Sequence, residues 1–361
     1  MNWSVDERRE VVDRVHLEGL PGVVERLLQQ CHDLGAPLLT EIRRVGDSVV
    51  AHVAGALEPI ARVRMYSALS IVLGGYEESR EKGYEDAVAV LGESRRTGVL
   101  SALAPNDALT PDDAAPGFRI DPLADRWRLR DLVEERLGWV NAPQSWQINL
   151  TRRGDLLLAQ VGPLYHSARF AAMERIPAST NPLIAALMAQ FAKPDAGNLV
   201  YDPFCGAGTL LVEAAALGRG LRLVGGDVSA RALAAAEINR RTLFPGATLL
   251  RADATAMPLG AESVDRIVSN IPFGKRVGSH GSNIGLYPAF LGELGRVLRP
   301  DGRAVVLTDD KNLFRASVEG TRGLRLLREV KLSSGGLHPS AFILERTRAA
   351  RRAAGRSPRR G

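Results

Sequence analysis

Four predicted strands each end at a polar side chain, and this ordered set restricts the fold more than any other feature of the sequence. The apolar runs are followed by Asp202, Asp227, Asp253 and Asn270, which stand 25, 26 and 17 residues apart with helix-forming segments between them. This alternation of strands and helices predicts an open, mainly parallel α/β sheet. Ligands of such sheets bind at the carboxyl ends of the strands, so the four side chains are expected to surround one site. Each aspartate alone could instead be the N-cap of the following helix.

The first of these strands runs into a glycine-rich loop, Asp-Pro-Phe-Cys-Gly-Ala-Gly-Thr at 202–209, and then into an apolar helix. Gly206 and Gly208 allow the backbone to approach a ligand closely, and the first helical turn offers free N–H groups. A dinucleotide fingerprint would require a third glycine or alanine where Leu211 stands. A pyrophosphate ligand is therefore disfavoured, and S-adenosylmethionine (SAM), which has no phosphate, fits the loop better. Cys205 is interpreted as a small buried filler rather than a nucleophile.

The fourth strand runs into the pentapeptide Asn-Ile-Pro-Phe-Gly at 270–274. Asn270 can accept a hydrogen bond from the exocyclic amine of a planar base, and the carbonyl of Ile271 or Pro272 can accept as well. Phe273 can stack on the face of the same base. The pentapeptide therefore predicts a site that holds the amine of an unstacked base.

The ordered motifs resemble those of the SAM-dependent amino methyltransferases. The stretches at 272–279, 286–288 and 307–311 are closely similar to one branch, the THUMP-domain tRNA guanosine N-2 methyltransferases, which modify an acceptor-stem guanosine. The resemblance is strong over about 175–345 and weaker before it. It implies SAM as the cofactor, tRNA as the partner and methyl transfer to the N-2 amine of a guanosine, at position six of the acceptor stem. A small activating subunit is compatible with it.

The resemblance also implies two sets of site residues. SAM would be bound by Asp202, Phe204, Gly206, Gly208, Thr209, Asp227, Asp253, Ala254 and Asn270. Within this set, Asp227 is placed to accept both ribose hydroxyls, and Asp253 could accept the adenine amino group. The catalytic, guanine-holding residues would be Asn270, Pro272 and Phe273. Because an asparagine cannot be a general base, the amine would lose its proton after the transfer.

Lys275 and Arg276 directly follow the pentapeptide and are expected to hold substrate phosphate. The other interpretation of these two side chains is a solvated loop charge. No spacing of histidines or cysteines suggests a metal site, and none is expected.

The first half of the chain predicts an α+β module. A strand over 11–17, a helix ending at Leu34, a hairpin about Gly46, a helix over 57–65 and a strand over 68–73 fit a ferredoxin-like domain at 1–75. A THUMP-like RNA-binding domain is expected at 76–165, with a loop over 106–117, a helix over 128–137, and strands over 145–150 and 156–161. The methyltransferase domain follows at 166–345 and an Arg-rich disordered tail at 346–361. The stretch at 165–170 departs from the more basic sequence usual in the family.

Charge is unevenly distributed along the chain. Residues 1–165 carry a net charge of −6, residues 166–345 carry +5, and the last sixteen residues carry +7. A basic catalytic half suits a polyanionic substrate, whereas the acidic first half does so only if its basic residues cluster on one face. Two cysteines and the absence of a long apolar run favour a cytoplasmic protein without a membrane span.

Several alternatives stay open at this level. The amine could belong to a guanosine of rRNA or to N-6 of adenine in DNA, and a small-molecule N-methyltransferase would not need the long first half. An RNA-binding protein that has lost catalysis is a different class, which the complete set of strand-end side chains opposes.

Overall fold

The computed structural model describes residues 3–105, 115–164, 173–273, 280–333 and 336–347. The chain divides into two units, Met1–Ala171 and Ala172–Gly361. Within the described ranges, no helix has the length and apolar character that crossing a membrane requires.

In the described part of the first unit there are ten strands and five helices. The strands are β1 (Trp3–Val5), β2 (Glu10–Glu18), β3 (Leu39–Val45), β4 (Ser48–Ala56), β5 (Ala68–Gly75), β6 (Leu103–Pro105), β7 (Gly117–Ile120), β8 (Val140–Asn141), β9 (Ile148–Arg153) and β10 (Leu156–Val161). The helices are α1 (Val24–Leu34), α2 (Glu58–Ala61), α3 (Tyr76–Glu81), α4 (Glu85–Arg96) and α5 (Arg126–Leu137). Short 3-10 turns lie at Val99–Ala102 and Gly162–Leu164.

The larger sheet of this unit has the strand order β3-β4-β2-β5-β10-β9-β7-β8. Its first four strands are antiparallel neighbours and are connected through α1 and α2, which is the predicted ferredoxin-like arrangement. Helix α1 buries Val24, Leu27 and Cys31, whose spacing of three and four residues places them on one face. Since β5 also pairs with β10, one sheet runs through both 1–75 and 76–165. The division of this half at residue 75, and its THUMP-like character, stay predictions.

Helices α3 and α4 lie between residues 74 and 125, where the sequence signal for secondary structure is weak. Helix α4 buries only Ala87, Val88, Leu91 and Ser94, and such a short apolar face is a weak periodic signal. The helix expected over 57–65 is shorter, at Glu58–Ala61. The strand expected over 145–150 is displaced to Ile148–Arg153, so Arg152 and Arg153 belong to the strand rather than to the turn. Of the loop expected over 106–117, residues 106–114 lie outside the described ranges.

Seven strands and five helices of the second unit are described. The strands are β11 (Leu199–Asp202), β12 (Arg222–Asp227), β13 (Thr248–Arg251), β14 (Val264–Asn270), β15 (Leu298–Thr308), β16 (Leu324–Lys331) and β17 (Ser340–Arg346). The helices are α6 (Pro182–Ala192), α7 (Thr209–Ala215), α8 (Ala230–Leu243), α9 (His280–Val297) and α10 (Lys311–Gly320).

The sheet of this unit has the order β13-β12-β11-β14-β15-β17-β16. Strands β11 to β15 run parallel, and β17 is antiparallel to both of its neighbours. The strand order reverses between β11 and β14, which opens a crevice at their carboxyl ends. The predicted α/β fold class is therefore confirmed, and the crevice lies where the polar strand ends are.

The core of the second unit lies between this sheet and its helices. Tyr201 and Ile267 of the central strands are fully buried beside Phe290 of α9 and Phe314 of α10. Strand β14 buries Val264, Ile267 and Val268, as is usual for the apolar positions of a central parallel strand whose faces are covered. This packing holds the carboxyl ends of the strands at one rigid edge.

Candidate active site

The carboxyl ends of β11 to β14 surround a cavity of about 540 Å³. Asp202, Asp227, Asp253 and Asn270 all line it. The cavity is also lined by other residues that the resemblance implied: Phe204, Gly206, Thr209, Ala254, Pro272 and Phe273. The structure thus brings together side chains that are spread over about 70 residues of sequence, as the spacing of the strand ends predicts. Lys275 and Arg276 lie outside the described residues.

The glycine-rich loop requires both of its glycines, for different reasons. Gly206 and Gly208 have φ angles of 53° and 84°, in the left-handed region that favours glycine. Gly206 lines the cavity, and its N–H donates to Asp227 Oδ2 at 2.9 Å. Gly208 does not line the cavity; a Cβ atom there would lie 2.7 Å from the ring of Phe244. Gly206 therefore serves the ligand side, whereas Gly208 permits the packing behind the loop.

Two of the strand-end carboxylates are held by backbone N–H groups. Asp227 accepts from Gly206 at Oδ2 and from the N–H of Ser229 at Oδ1, at 2.8 Å. Asp253 Oδ1 accepts from the N–H and the hydroxyl of Thr255 at 2.8 and 2.7 Å. The backbone hydrogen bond from Thr255, followed by its hydroxyl, lowers the pKa of Asp253 and keeps it ionised. Both side chains therefore present fixed acceptors to the cavity.

Asp202 is the most perturbed acid of the site. Its side chain is 1% exposed, and Oδ1 accepts from Ser269 Oγ at 2.8 Å and from the N–H of Phe204 at 3.1 Å. Burial, with a smaller contribution from the charge of Asp227, raises the pKa of Asp202 to about 7 against these two hydrogen bonds. Oδ2 has no hydrogen-bond partner among the described residues.

An unpartnered carboxylate oxygen beside a cavity calls for a donor or a cation from the ligand. SAM carries a sulfonium and an ammonium group and no phosphate, so its charges suit this acidic site. The strand-end acids and the glycine loop fit the predicted cofactor.

Asn270 is held at one end of its carboxamide only. Nδ2 donates to the hydroxyl of Thr180 at 3.0 Å, while the buried Oδ1 has no hydrogen-bond partner among the described residues. Oδ1 is thus an available acceptor, as the recognition of an amine requires. The sequence does not indicate Thr180 as a site residue, because Asn181 and Pro182 signal only the start of a helix. That helix does begin there, with Asn181 as its N-cap accepting from the N–H of Leu183 at 2.9 Å.

A buried tyrosine forms a hydrogen bond to the backbone of the pentapeptide. Tyr287 Oη donates to the carbonyl of Pro272 at 2.7 Å and shares a hydrogen bond with Thr308 Oγ1 at 2.8 Å. Burial raises the pKa of Tyr287 to about 12, so it stays a neutral donor. This bond uses one of the two lone pairs of the Pro272 carbonyl and holds the backbone of the pentapeptide in place.

Cys205 lies in the loop but is poorly suited to attack a base. Its thiol is buried, and burial together with the charges of Asp202 and Asp227 raises its pKa. The thiolate is therefore strongly disfavoured at neutral pH. Its side chain packs against the loop, and Sγ lies 3.8 Å from the carbonyl oxygen of Gly206.

Residues 171–340 match the model of the UPF0020 family, which is described as an RMKL-like methyltransferase domain. This part of the chain is therefore assigned, by similarity, to a methyltransferase domain of that type. The family resemblance expected from the motifs is thereby confirmed for this domain, and SAM is the cofactor that it implies. The assignment of the cavity residues to SAM stays a prediction.

Curated relatives and a solved structure agree with this assignment. Over 186 residues the chain is 34% identical to the tRNA (guanine(6)-N(2))-methyltransferase THUMP3 of Bos taurus, covering 47% of this chain and 37% of that protein. Over 129 residues it is 42% identical to the U6 snRNA (guanine-N(2))-methyltransferase THUMPD2 of Bos taurus, covering 35% of this chain and 25% of that protein. The chain thus spans less than half the length of either relative.

The crystal structure of TrmN from Thermus thermophilus superposes with a TM-score of 0.71 at 23% identity, and the match covers 92% of this chain and 99% of that chain. At this identity the likeness establishes the fold, including that of the first unit.

Proposed function

We propose that the protein transfers a methyl group from SAM to the exocyclic N-2 amine of a guanosine in tRNA, at position six of the acceptor stem. The observation that carries the proposal is the buried, unpartnered Oδ1 of Asn270 at the rim of the SAM cavity. Both relatives are named as methyltransferases of guanine N-2, which is the type of amine that such an acceptor can hold.

The role of the protein in this reaction is to position the amine. SAM supplies a methyl group activated on sulfonium. Asn270 Oδ1 accepts one N–H of the amine and turns the nitrogen lone pair toward the methyl group, while Phe273 stacks on the guanine and fixes its plane. Alignment of this kind lowers a barrier by up to about 7–11 kcal/mol. The neutral amide of Asn270 accepts no proton, so the proton leaves the nitrogen after it has been methylated.

A basic and aromatic surface on the first unit supports RNA as the partner. Trp127 is 57% exposed, and the guanidinium groups of Arg126 and Arg130 lie 4.6 and 4.9 Å from the centre of its ring. Arg119 lies 4.2 Å from the ring centre of Trp146. Aromatic rings flanked by arginines stack on unpaired bases and attract phosphate. Arg119, Arg126 and Arg130 thus lie beside aromatic rings, and Arg130 also pairs with Asp131 and Glu134. Such local clustering of arginines is what RNA binding by a net acidic half requires.

A guanosine of U6 snRNA is the second candidate substrate, since the relative of that name shares 42% identity over 129 residues. The longer match to a tRNA enzyme favours tRNA.

The proposal is tested with the full chain, radiolabelled SAM and four separate substrates: tRNA, U6 snRNA and rRNA transcripts, and DNA. Mass spectrometry of the digested product should show N-2-methylguanosine in tRNA. We expect Asn270→Ala to abolish this product while calorimetry still detects SAM binding. Asn312→Ala, an exposed substitution in α10, is the matched control. Full activity of the Asn270 variant, or a methylated adenine as product, would contradict the proposal.

A further inference from the structure

Thr180 lies just before helix α6 and contacts the carboxamide that the proposed reaction depends on. Its hydroxyl accepts from Asn270 Nδ2 at 3.0 Å, and its side chain lines the same cavity. Resting on the proposed function, we infer that Thr180 is a positioning residue that sets the orientation of the Asn270 carboxamide and so turns Oδ1 toward the substrate amine.

The two ends of a carboxamide have opposite hydrogen-bonding character. The NH₂ end donates two hydrogen bonds, and the oxygen end only accepts. If the carboxamide were rotated by half a turn, its NH₂ end would face the donor N–H groups of the substrate amine and could not hold them. A hydroxyl that accepts from Nδ2 satisfies the NH₂ end inside the protein, because a buried donor without a partner costs about 1–3 kcal/mol. A hydroxyl can also donate, but in the structure it accepts from Nδ2. In this arrangement Thr180 stabilises the orientation in which Oδ1 is available.

Thr180 is itself held in place. It is 9% exposed, and the next residue, Asn181, is the N-cap of α6. On its other side, the hydroxyl of Ser179 accepts from the N–H of Ile176 at 3.0 Å, and the N–H of Ser179 donates back to the Ile176 carbonyl at 3.0 Å. Between them Ala178 has a φ of 69°, a strained conformation for a residue with a side chain. A segment held in such a closed turn can fix a hydroxyl against a residue 90 positions away in sequence.

The test compares three substitutions at this position. Thr180→Val keeps the shape of the side chain and removes the hydroxyl, Thr180→Ala removes more of the side chain, and Thr180→Ser keeps the hydroxyl. Thr248→Val, on the exposed start of β13, is the matched control. Each full-length protein is assayed for kcat and KM on a tRNA transcript that the wild type methylates, and for SAM affinity by calorimetry.

We expect Thr180→Val and Thr180→Ala to lower kcat on the order of 10-fold to 100-fold, since a small misplacement of a reacting group has an effect of this size. SAM affinity should stay within about 3-fold, a change worth less than about 1 kcal/mol, and Thr180→Ser should recover most of the turnover.

Other outcomes would overturn the inference in distinguishable ways. Turnover of Thr180→Val and Thr180→Ala equal to that of the wild type would show that the hydroxyl does not position the amide. Parallel loss of SAM affinity, or failure of Thr180→Ser to recover turnover, would make Thr180 part of the cofactor pocket or of the fold. A wild-type protein that methylates no guanosine would remove the proposed function, and the inference with it.

Discussion

Replacing Asp202 by asparagine should change how the stability of the second unit depends on pH. In the folded protein the pKa of Asp202 is raised from 3.8 to about 7, mainly by burial. Below about pH 4 the carboxyl is protonated in both the folded and the unfolded chain. Between about pH 4 and 7 only the folded chain keeps the proton, so the free energy of unfolding falls as pH rises; above pH 7 it levels off.

The size of this effect follows from the same values. A rise from 3.8 to about 7, at about 1.4 kcal/mol for each pKa unit, corresponds to a loss of roughly 4 kcal/mol across that pH range. The asparagine side chain would keep the acceptor for Ser269 and Phe204 but would place an NH₂ group where Oδ2 now has no partner, at a pH-independent cost of about 1–3 kcal/mol. Asp202→Asn should therefore be less stable than the wild type at pH 4 and more stable above pH 7, by about 1–3 kcal/mol in each case.

Urea unfolding followed by circular dichroism from pH 4 to 9 measures this crossing. All four tryptophans lie in the first unit, so their fluorescence follows that unit and serves as an internal control that the substitution should not change. Calorimetry should show that SAM affinity of the wild type increases as pH rises through 7, because a cation binds the ionised carboxylate. The affinity of Asp202→Asn should be weaker and independent of pH. A stability difference that stays constant from pH 4 to 8 would refute the reasoning.

Two further predictions concern the glycine loop and the RNA surface. Gly208→Ala should lower the free energy of unfolding by about 2 kcal/mol or more and should weaken SAM binding. The new Cβ would lie 2.7 Å from Phe244, and the φ of 84° is unfavourable for alanine. The control Gly218→Ala has a φ of 64° and open space around it, so the same denaturation assay should show only the smaller cost of the φ angle. Trp127→Ala should weaken tRNA binding by about 1–3 kcal/mol in a filter-binding assay and leave SAM affinity unchanged. The control Val12→Ala, at another exposed apolar position of the same unit, should leave both affinities unchanged. If the Trp127 variant and the wild type bind tRNA equally well, this surface is not part of the RNA interface.

The strand ends are predictable because their signal is local. A central parallel strand is covered on both faces, so its buried positions are mainly apolar. Each of the four strands stops at, or within two residues before, one of the polar side chains. Four such stops in order define the carboxyl edge of the sheet, and the sequence therefore places Asp202, Asp227, Asp253 and Asn270 correctly around one cavity. The glycine loop is predictable for the same reason, since its conformation depends on residues within a few positions of one another.

The contacts that orient these residues are not predictable, because they join distant segments. The hydroxyl of Thr180 reaches Asn270 across 90 positions of sequence, and Tyr287 reaches Pro272 from the middle of a helix. Each contact depends on the residue at which a helix begins and on which helix face packs against the sheet. Hydrophobic periodicity does not determine the first helical residue to within one position. Helix α4 is not predicted for a different reason. Its buried face contains too few apolar residues to give a clear helical periodicity.

The charges of the cavity explain why a neutral acceptor suits position 270. Three carboxylates, Asp202, Asp227 and Asp253, already line the cavity, and Asp227 contributes to the raised pKa of Asp202. A fourth carboxylate at position 270 would add another negative charge to the cavity and raise the pKa of Asp202 further. Asp202 would then stay protonated and could not offer a negative charge to the cationic groups of SAM. An amide avoids this repulsion, but its NH₂ end then needs an acceptor inside the protein. Thr180 supplies that acceptor, so the neutral side chain at 270 and the hydroxyl at 180 are two parts of one electrostatic arrangement.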